Sequence, residues 1–174
     1  SRGSVVSFAA RTSSSSLENF VEVHYGSKPG QTIRVTRSFW EITEVEPHWR
    51  LLESTPTEVG GITGKSWVIL TLEEIYRQRV TEFGLRSADV HGQRGFILSK
   101  MNNLPISLYL GEMFDDNTYA ITCKVAIQQA AVYAFMLSSE YREEVRARNQ
   151  KLAIDTNAMI NVPFDLVHWQ QVAA

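Results

Sequence analysis

Three groups of residues carry enough polar chemistry to be weighed as a reactive site. The run Gly60-Gly61-Ile62-Thr63-Gly64-Lys65-Ser66 invites comparison with a phosphate-binding loop. In such a loop G-x-x-x-x-G-K-[ST] wraps backbone N–H groups around phosphate and passes directly into a helix. Here Val59 stands where the first glycine belongs, and the strand-like Trp67 to Leu70 follows, so the run reads as a glycine-rich turn. Glu112, Asp115 and Asp116 could hold a hard cation. Two-metal nucleases pair such acids with a downstream E-x-K, and no Glu in this chain has Lys two positions later. An acidic turn between strands accounts for them. His24, His48, His91 and His168 are scattered, and no G-x-S-x-G turn accompanies them. The single cysteine, Cys123, excludes an internal disulfide framework; placed in an alternating run, it reads as a buried, inert thiol.

The elements that would position these residues follow from periodicity. Ser16 is placed to cap a short element over Leu17 to Val23. Tyr25 to Gly30 is turn chemistry, and Thr32 to Ile42, with Phe39 to Glu41 inside it, alternates as a strand. Thr55 to Ser66 is a loop and Trp67 to Leu70 a strand. Thr71 and Glu74 form a capping box for a helix over Leu72 to Phe83 that Gly84 closes. Gly95 to Ser99, Ile106 to Leu110 and Tyr119 to Val125 are strands. A helix covers Ile127 to Leu137, and Ser138-Ser139 restart a second whose apolar stripe is Tyr141, Val145 and Leu152. Met159 to Val162 reads as a short strand. Pro163-Phe164-Asp165 then staples and caps a last helix carrying Trp169 and Val172. Strands mix with helices without βα alternation, which gives an α+β class: a mixed or antiparallel sheet with packed helices and a helical C-terminal part.

Composition narrows the functions available. Hydrophobic residues at 44% and charged residues at 21% exclude wholesale disorder and fibrous repeats. A net charge of -2 supplies no global field towards polyanions. No apolar run approaches the ~20 residues of a membrane span. The absence of a signal peptide and the lone cysteine point to a cytoplasmic, reducing setting and no membrane partner. The chain opens on Ser1 and closes at Ala174 within a helical pattern, so it is expected to be a piece of a longer protein. Residues 1–25 are read as a truncated N-terminal segment. Residues 26–174 are read as a single domain, mainly strands with one helix to 125 and mainly helical after it.

Several motifs in order resemble a known family. Arg37 with Phe39-Trp40-Glu41 and Trp49 to Ser54 come first, then Gly92-Gln93-Arg94-Gly95 with Ser99-Lys100-Met101. Leu104-Pro105, Leu108-Tyr109, Gly111-Glu112 and Phe114 to Asn117 follow. Ser138-Ser139-Glu140, Gln150-Lys151-Leu152, Thr156-Asn157-Ala158 and Val162 to Leu166 with His168-Trp169 close the set. Together these resemble the C-terminal target-recognition region of large adenine-specific DNA methyltransferases, fused type II restriction–modification enzymes and their relatives in phage defence. In that family an N-terminal catalytic domain binds S-adenosylmethionine and methylates adenine, while the region resembled here reads the target site. This sequence departs from the family at Ser27 to Gly30, which replaces a T-G-D turn. It departs again at Gln93, where a basic residue is common, and at Asp155, where the usual residue is uncharged.

The resemblance implies double-stranded DNA and the missing catalytic domain of the same polypeptide as partners. It also implies S-adenosylmethionine for the parent protein and no cofactor in this chain. Residues 26–101 carry ten basic against nine acidic residues, and residues 102–174 carry five against eight. The first part is therefore the relatively basic one. The candidate DNA contacts are Arg37, Lys65, Gln93, Arg94, Lys100, Asn102 and Asn103. At turns and strand ends Arg or Lys can address guanine and Asn adenine in the major groove. The alternative is a protein–protein or structural domain without DNA contact. Because neither a Gly-rich cofactor turn nor a Pro-Pro-aromatic motif occurs, the 174-residue chain is expected to be inactive alone. Incubated with labelled S-adenosylmethionine and mixed-sequence DNA, it should transfer no label above background.

Overall fold

Alternating and continuous apolar runs turn the middle of the chain into two four-stranded sheets, and a helical C-terminal part covers one of them. The computed structural model describes residues 15–28, 35–43, 48–71, 90–101 and 103–174. Its strands are β1 (Ser15–Ser16), β2 (Val21–Tyr25), β3 (Thr36–Ser38), β4 (Trp49–Glu53) and β5 (Trp67–Leu70). They continue with β6 (Gly95–Ser99), β7 (Ile106–Tyr109), β8 (Met113–Phe114), β9 (Thr118–Cys123) and β10 (Pro163–Phe164). The first large sheet is antiparallel in the order β2-β9-β6-β7; the second has the order β3-β5-β4-β8, with β8 parallel to β4. β1 and β10 form a two-stranded ribbon. This is the α+β class expected from the sequence. β2 precedes residue 26 and pairs along its whole length with β9, Val21 opposite Cys123 and Tyr25 opposite Tyr119.

β6 explains why its sequence, G-F-I-L-S, does not alternate: every residue in it is buried. Phe96 and Leu98 face the main core, whereas Ile97 packs with Val90, Tyr109, Phe114 and Ala120 on the other side. A strand covered on both faces has no polar side to show. The main core is completed by α1 (Gln129–Leu137), α2 (Ser139–Arg148), α3 (Thr156–Ile160) and α4 (Leu166–Ala173). At its centre Phe135 meets Phe164 at 5.2 Å, Trp169 at 5.3 Å and Tyr141 at 5.4 Å between ring centroids. Two side-chain caps hold the C-terminal helices. Ser138 Oγ accepts from Tyr141 N–H at 3.1 Å, and Asp165 Oδ1 accepts from His168 N–H at 3.1 Å.

Four local expectations are corrected. Phe39–Glu41 is a 3-10 turn rather than strand, because Ser38 and Glu41 close a capping box, with Ser38 N–H donating to Glu41 Oε2 at 2.8 Å. The stretch expected as a strand from Met159 is instead α3 for its first two residues. Asp155 caps it by accepting from Ala158 N–H at 2.9 Å, which rewards helix over extension. Leu152 is off the stripe of α2, which ends at Arg148, and is exposed. Ser16 does not cap; it pairs in β1 and its hydroxyl donates to the Ile160 carbonyl. The helix expected over Leu72 to Phe83 lies outside the described residues, and so does Thr32 to Arg34 of the expected strand.

Trp169 is buried against Phe135, on an element fixed by Asp165. Replacing it with Ala should cost ~3–5 kcal/mol, a large part of the stability of a domain this size. The melting temperature of Trp169→Ala measures this; an unchanged value would contradict the packing described.

Candidate nucleic-acid interface

The turn before β6 is built from backbone contacts that only glycine permits. Gly92 has φ +84°, and its N–H donates to the Gly111 carbonyl at 3.0 Å. A Cβ on Gly111, itself at φ +102°, would stand 2.5 Å from Gly92 Cα, and one on Gly95 would stand 2.2 Å from the Ile121 carbonyl oxygen. Gln93 N–H closes the turn on the Val90 carbonyl at 3.0 Å, with Val90 fully buried. The backbone is therefore clamped while Gln93 and Arg94 themselves are exposed. This turn lines one side of a cleft of about 830 Å³, with His91 and Gly92 on that side and Trp49, Arg50 and Leu51 among its other walls. Arg50, an exposed cation in this cleft, was not among the sequence candidates; within W-R-L-L-E-S nothing but its charge distinguishes it.

The other candidates are distributed differently. Arg37 is exposed on β3, opposite Val68, and its guanidinium donates to the Thr36 carbonyl at 2.7 Å. Asn103 is exposed in the turn between β6 and β7, beside Thr55 to Val59 and Pro105. Asn102 lies outside the described residues. Lys100 Nζ donates to the Asp116 carbonyl and sits 4.4 Å from the Tyr119 ring centroid. Arg94 and Lys100 flank opposite ends of β6, and at ~3.3 Å per residue they are about 20 Å apart. The structure thus does not gather the six described candidates into one patch.

Lys65 is drawn into the protein. Its Nζ donates to Glu53 Oε2 at 2.9 Å and to Glu112 Oε1 at 2.6 Å. Glu53 has no exposed surface, and its second oxygen, Oε1, has no hydrogen-bond partner among the described residues. Burial pushes the Glu53 carboxyl up to about 7 against the opposing pull of Lys65, and the Glu112 charge adds to the rise. Burial also acts upward on Glu112, but Lys65 and the backbone N–H groups of Glu112 and Leu110 outweigh it and hold that carboxyl below its ordinary range. One ammonium thus serves two carboxylates, and the more deeply buried one takes the proton first. Of the acidic turn, Asp115 is buried and accepts from Ser54 Oγ at 2.6 Å and Asn117 N–H at 3.0 Å, and Asp116 lies 3.7 Å from Lys28. Burial alone raises the Cys123 thiol to about 11.

No protein-family model matches the chain, and no curated protein matches it. Among solved structures, the HsdS subunit from Thermoanaerobacter tengcongensis is similar in fold, with a TM-score of 0.55 at 10% sequence identity. The match covers 91% of this chain and 34% of that one, so the chain spans about a third of that subunit's length. Among the described residues no helix is long and apolar enough to cross a membrane.

The Lys65 cluster makes a pH forecast. Glu53 binds its proton more tightly folded, at about 7, than at the ordinary value of 4.5, so the native state holds the extra proton between those limits. Its contribution is complete below about 4.5 and is lost as pH rises through 7. Glu112 acts oppositely, contributing above the ordinary carboxylate range and losing that only in stronger acid. Melting temperature should therefore fall from pH 5 to pH 7.5, and Glu53→Gln should flatten that slope. An equal slope in the variant would show that Glu53 is not the group responsible.

Proposed function

We propose that this chain is a DNA target-recognition module of a restriction–modification protein. The observation that carries this reading is that its fold is shared with an HsdS subunit, the specificity subunit of a type I system. The ordered motifs from Arg37 to Trp169 support the same conclusion independently of that fold. They also support an adenine-specific, S-adenosylmethionine-dependent methyltransferase as the parent, with the catalytic domain on the same polypeptide.

Within the module, Arg94 is the best-placed reader. It stands at the tip of a clamped turn, so little backbone freedom remains to be lost when it meets DNA, and the cost of ordering is confined to the side chain. Gln93 beside it and Arg50 across the cleft can serve the same duplex. Asn103, in the turn at the far end of β6, would meet that duplex farther along its length. Lys65 and Lys100 are engaged inside the protein and serve to shape the loops that carry the contacts.

Two roles of Arg94 give different results. As a base reader, Arg94→Ala in the parent enzyme should cost about 1–3 kcal/mol on the cognate site and relax preference at one position. As a phosphate contact it should weaken binding to all sequences alike and make the salt dependence shallower. Binding to cognate and scrambled duplexes at two salt concentrations separates the two. No change on either DNA at either salt would remove Arg94 from the interface.

A further inference from the structure

Arg94 and Asn103 lie at opposite ends of β6, yet the supports of both converge on one ammonium, that of Lys65. Lys65 follows the foot of the loop from Thr55 to Gly64, where Ser54 N–H donates to the Gly64 carbonyl at 2.9 Å. The crown of that loop is pinned to β7 by Gly60 N–H on the Ile106 carbonyl at 2.7 Å. Its flank, Thr55 to Val59, lines one cavity of about 470 Å³ together with Asn103 and Pro105. The same Nζ reaches Glu112 Oε1 at 2.6 Å. Glu112 Oε2 in turn accepts from Leu110 N–H at 3.0 Å, and the Glu112 carbonyl accepts from the Tyr109 hydroxyl at 2.8 Å. Gly111, held between them, supplies the carbonyl that clamps Gly92 N–H in the Arg94 turn.

We propose that Lys65, with Glu53 and Glu112, is a latch that positions the Arg94 turn and the loop beside Asn103, so that both tighten or loosen as one. This rests on the DNA-reading function proposed above. A site read at two separated points is bound selectively only if both readers are in register beforehand, because ordering loose turns costs affinity.

Glu53 is the member that releases the latch. It has no exposed surface, and its Oε1 has no partner among the described residues. Neutral Glu53 leaves the ammonium to one charged partner, Glu112. Ionised Glu53 sets two carboxylates against one ammonium and leaves an uncompensated charge away from water. Lifting the loop lets water reach Glu53 and relieves that charge. The charged and titratable groups acting on Glu53 among the described residues are Lys65 and Glu112, with the Tyr109 phenol beside them; His91 stands in the Arg94 turn itself. Burial places the change near neutral pH, holding the Glu53 carboxyl at about 7.

Hydrogen exchange of the full 174-residue chain at pH 5 and pH 8, corrected for the intrinsic effect of pH, reads the latch without DNA. At pH 8 protection should fall at least about tenfold, and fall together at Ser54 and Gly60 in the loop and at Gly92 and Leu110 beside Arg94. In Glu53→Gln it should stay level at all of them. Should that variant not fold, Glu112→Gln, which leaves Lys65 to Glu53 alone, should shrink the fall. A fall confined to Ser54 and Gly60 would overturn the latch. An equal fall in Glu53→Gln would overturn it too and assign the change to another group such as His91. The same chain is then given duplexes that it enriches from a random-sequence pool at pH 5. Its preference for them over scrambled duplexes should drop several-fold at pH 8 and persist in Glu53→Gln. Unchanged preference despite joint loosening would overturn the positioning role. Joint loosening in a chain that enriches no duplex would overturn the DNA-reading function, with the latch itself upheld.

Discussion

The two large sheets are sewn together at Asp115, and the rest of the architecture depends on that turn. The chain leaves the second sheet at Phe114 and enters the first at Thr118, so one short passage must satisfy groups from both. Asp115 N–H donates to the Glu53 carbonyl at 3.1 Å, and its carboxylate accepts from Ser54 and Asn117. Its carbonyl accepts from Thr118 N–H at 3.3 Å and Thr118 Oγ1 at 3.0 Å. Ser27 bridges to it in parallel, which brings Gly26 so close that a Cβ would lie 1.7 Å from the Asp115 carbonyl oxygen. Hydrogen bonds to an ionised acceptor contribute about 1.5–3 kcal/mol each. Several converge here on a side chain with little solvent to replace them.

The glycine-rich run has a structural purpose that its resemblance to a phosphate loop conceals. Gly60 N–H donates to the Ile106 carbonyl at 2.7 Å, and Leu108 N–H donates to the Gly61 carbonyl at 3.0 Å. The loop thereby covers the outer edge of β7, which would otherwise offer unpaired backbone groups to another strand. Its base is closed by Ser54 N–H on the Gly64 carbonyl at 2.9 Å and by Lys65 on Glu53 and Glu112. Removing either member of such a buried pair strands a charge, whereas neutralising the deepest carboxylate does not. The cluster thus fixes a loop whose outer residues lie beside Asn103.

How much of this could be read from the residues depended on whether the deciding interaction was local. The strands over Trp67–Leu70, Gly95–Ser99 and Ile106–Tyr109 were legible, because apolar runs between turn signals are a local pattern. The same holds for the caps at Ser138 and Asp165. At Phe39–Glu41 the capping box was equally local, yet β-rich composition on either side masked it. Met159 and Ile160 look like strand only if Asp155 is not recognised as a cap. The Lys65 cluster and the Ser54–Asp115 bond join residues 12 to 61 positions apart, and no periodicity reports contacts of that kind. For the candidate interface, the sequence located the exposed turn at Gln93 and Arg94 but could not distinguish a surface lysine from one folded inward.

That distinction bears on how such a module could change what it reads. Arg94 and Asn103 are exposed at turns held by backbone bonds, Gln93 N–H on the Val90 carbonyl and Leu104 N–H on the Met101 carbonyl. Substitutions there leave the core of Phe135, Phe164 and Trp169 and the Asp115 seam untouched. Lys65 and Lys100 have the opposite character, because each is tied to a carboxylate or carbonyl group of another strand or turn. A surface whose outer residues can vary while its supporting bonds stay fixed is what target reading demands of a fold. On the proposed function, specificity would reside in side chains that contribute little to stability, and stability in bonds that never meet DNA.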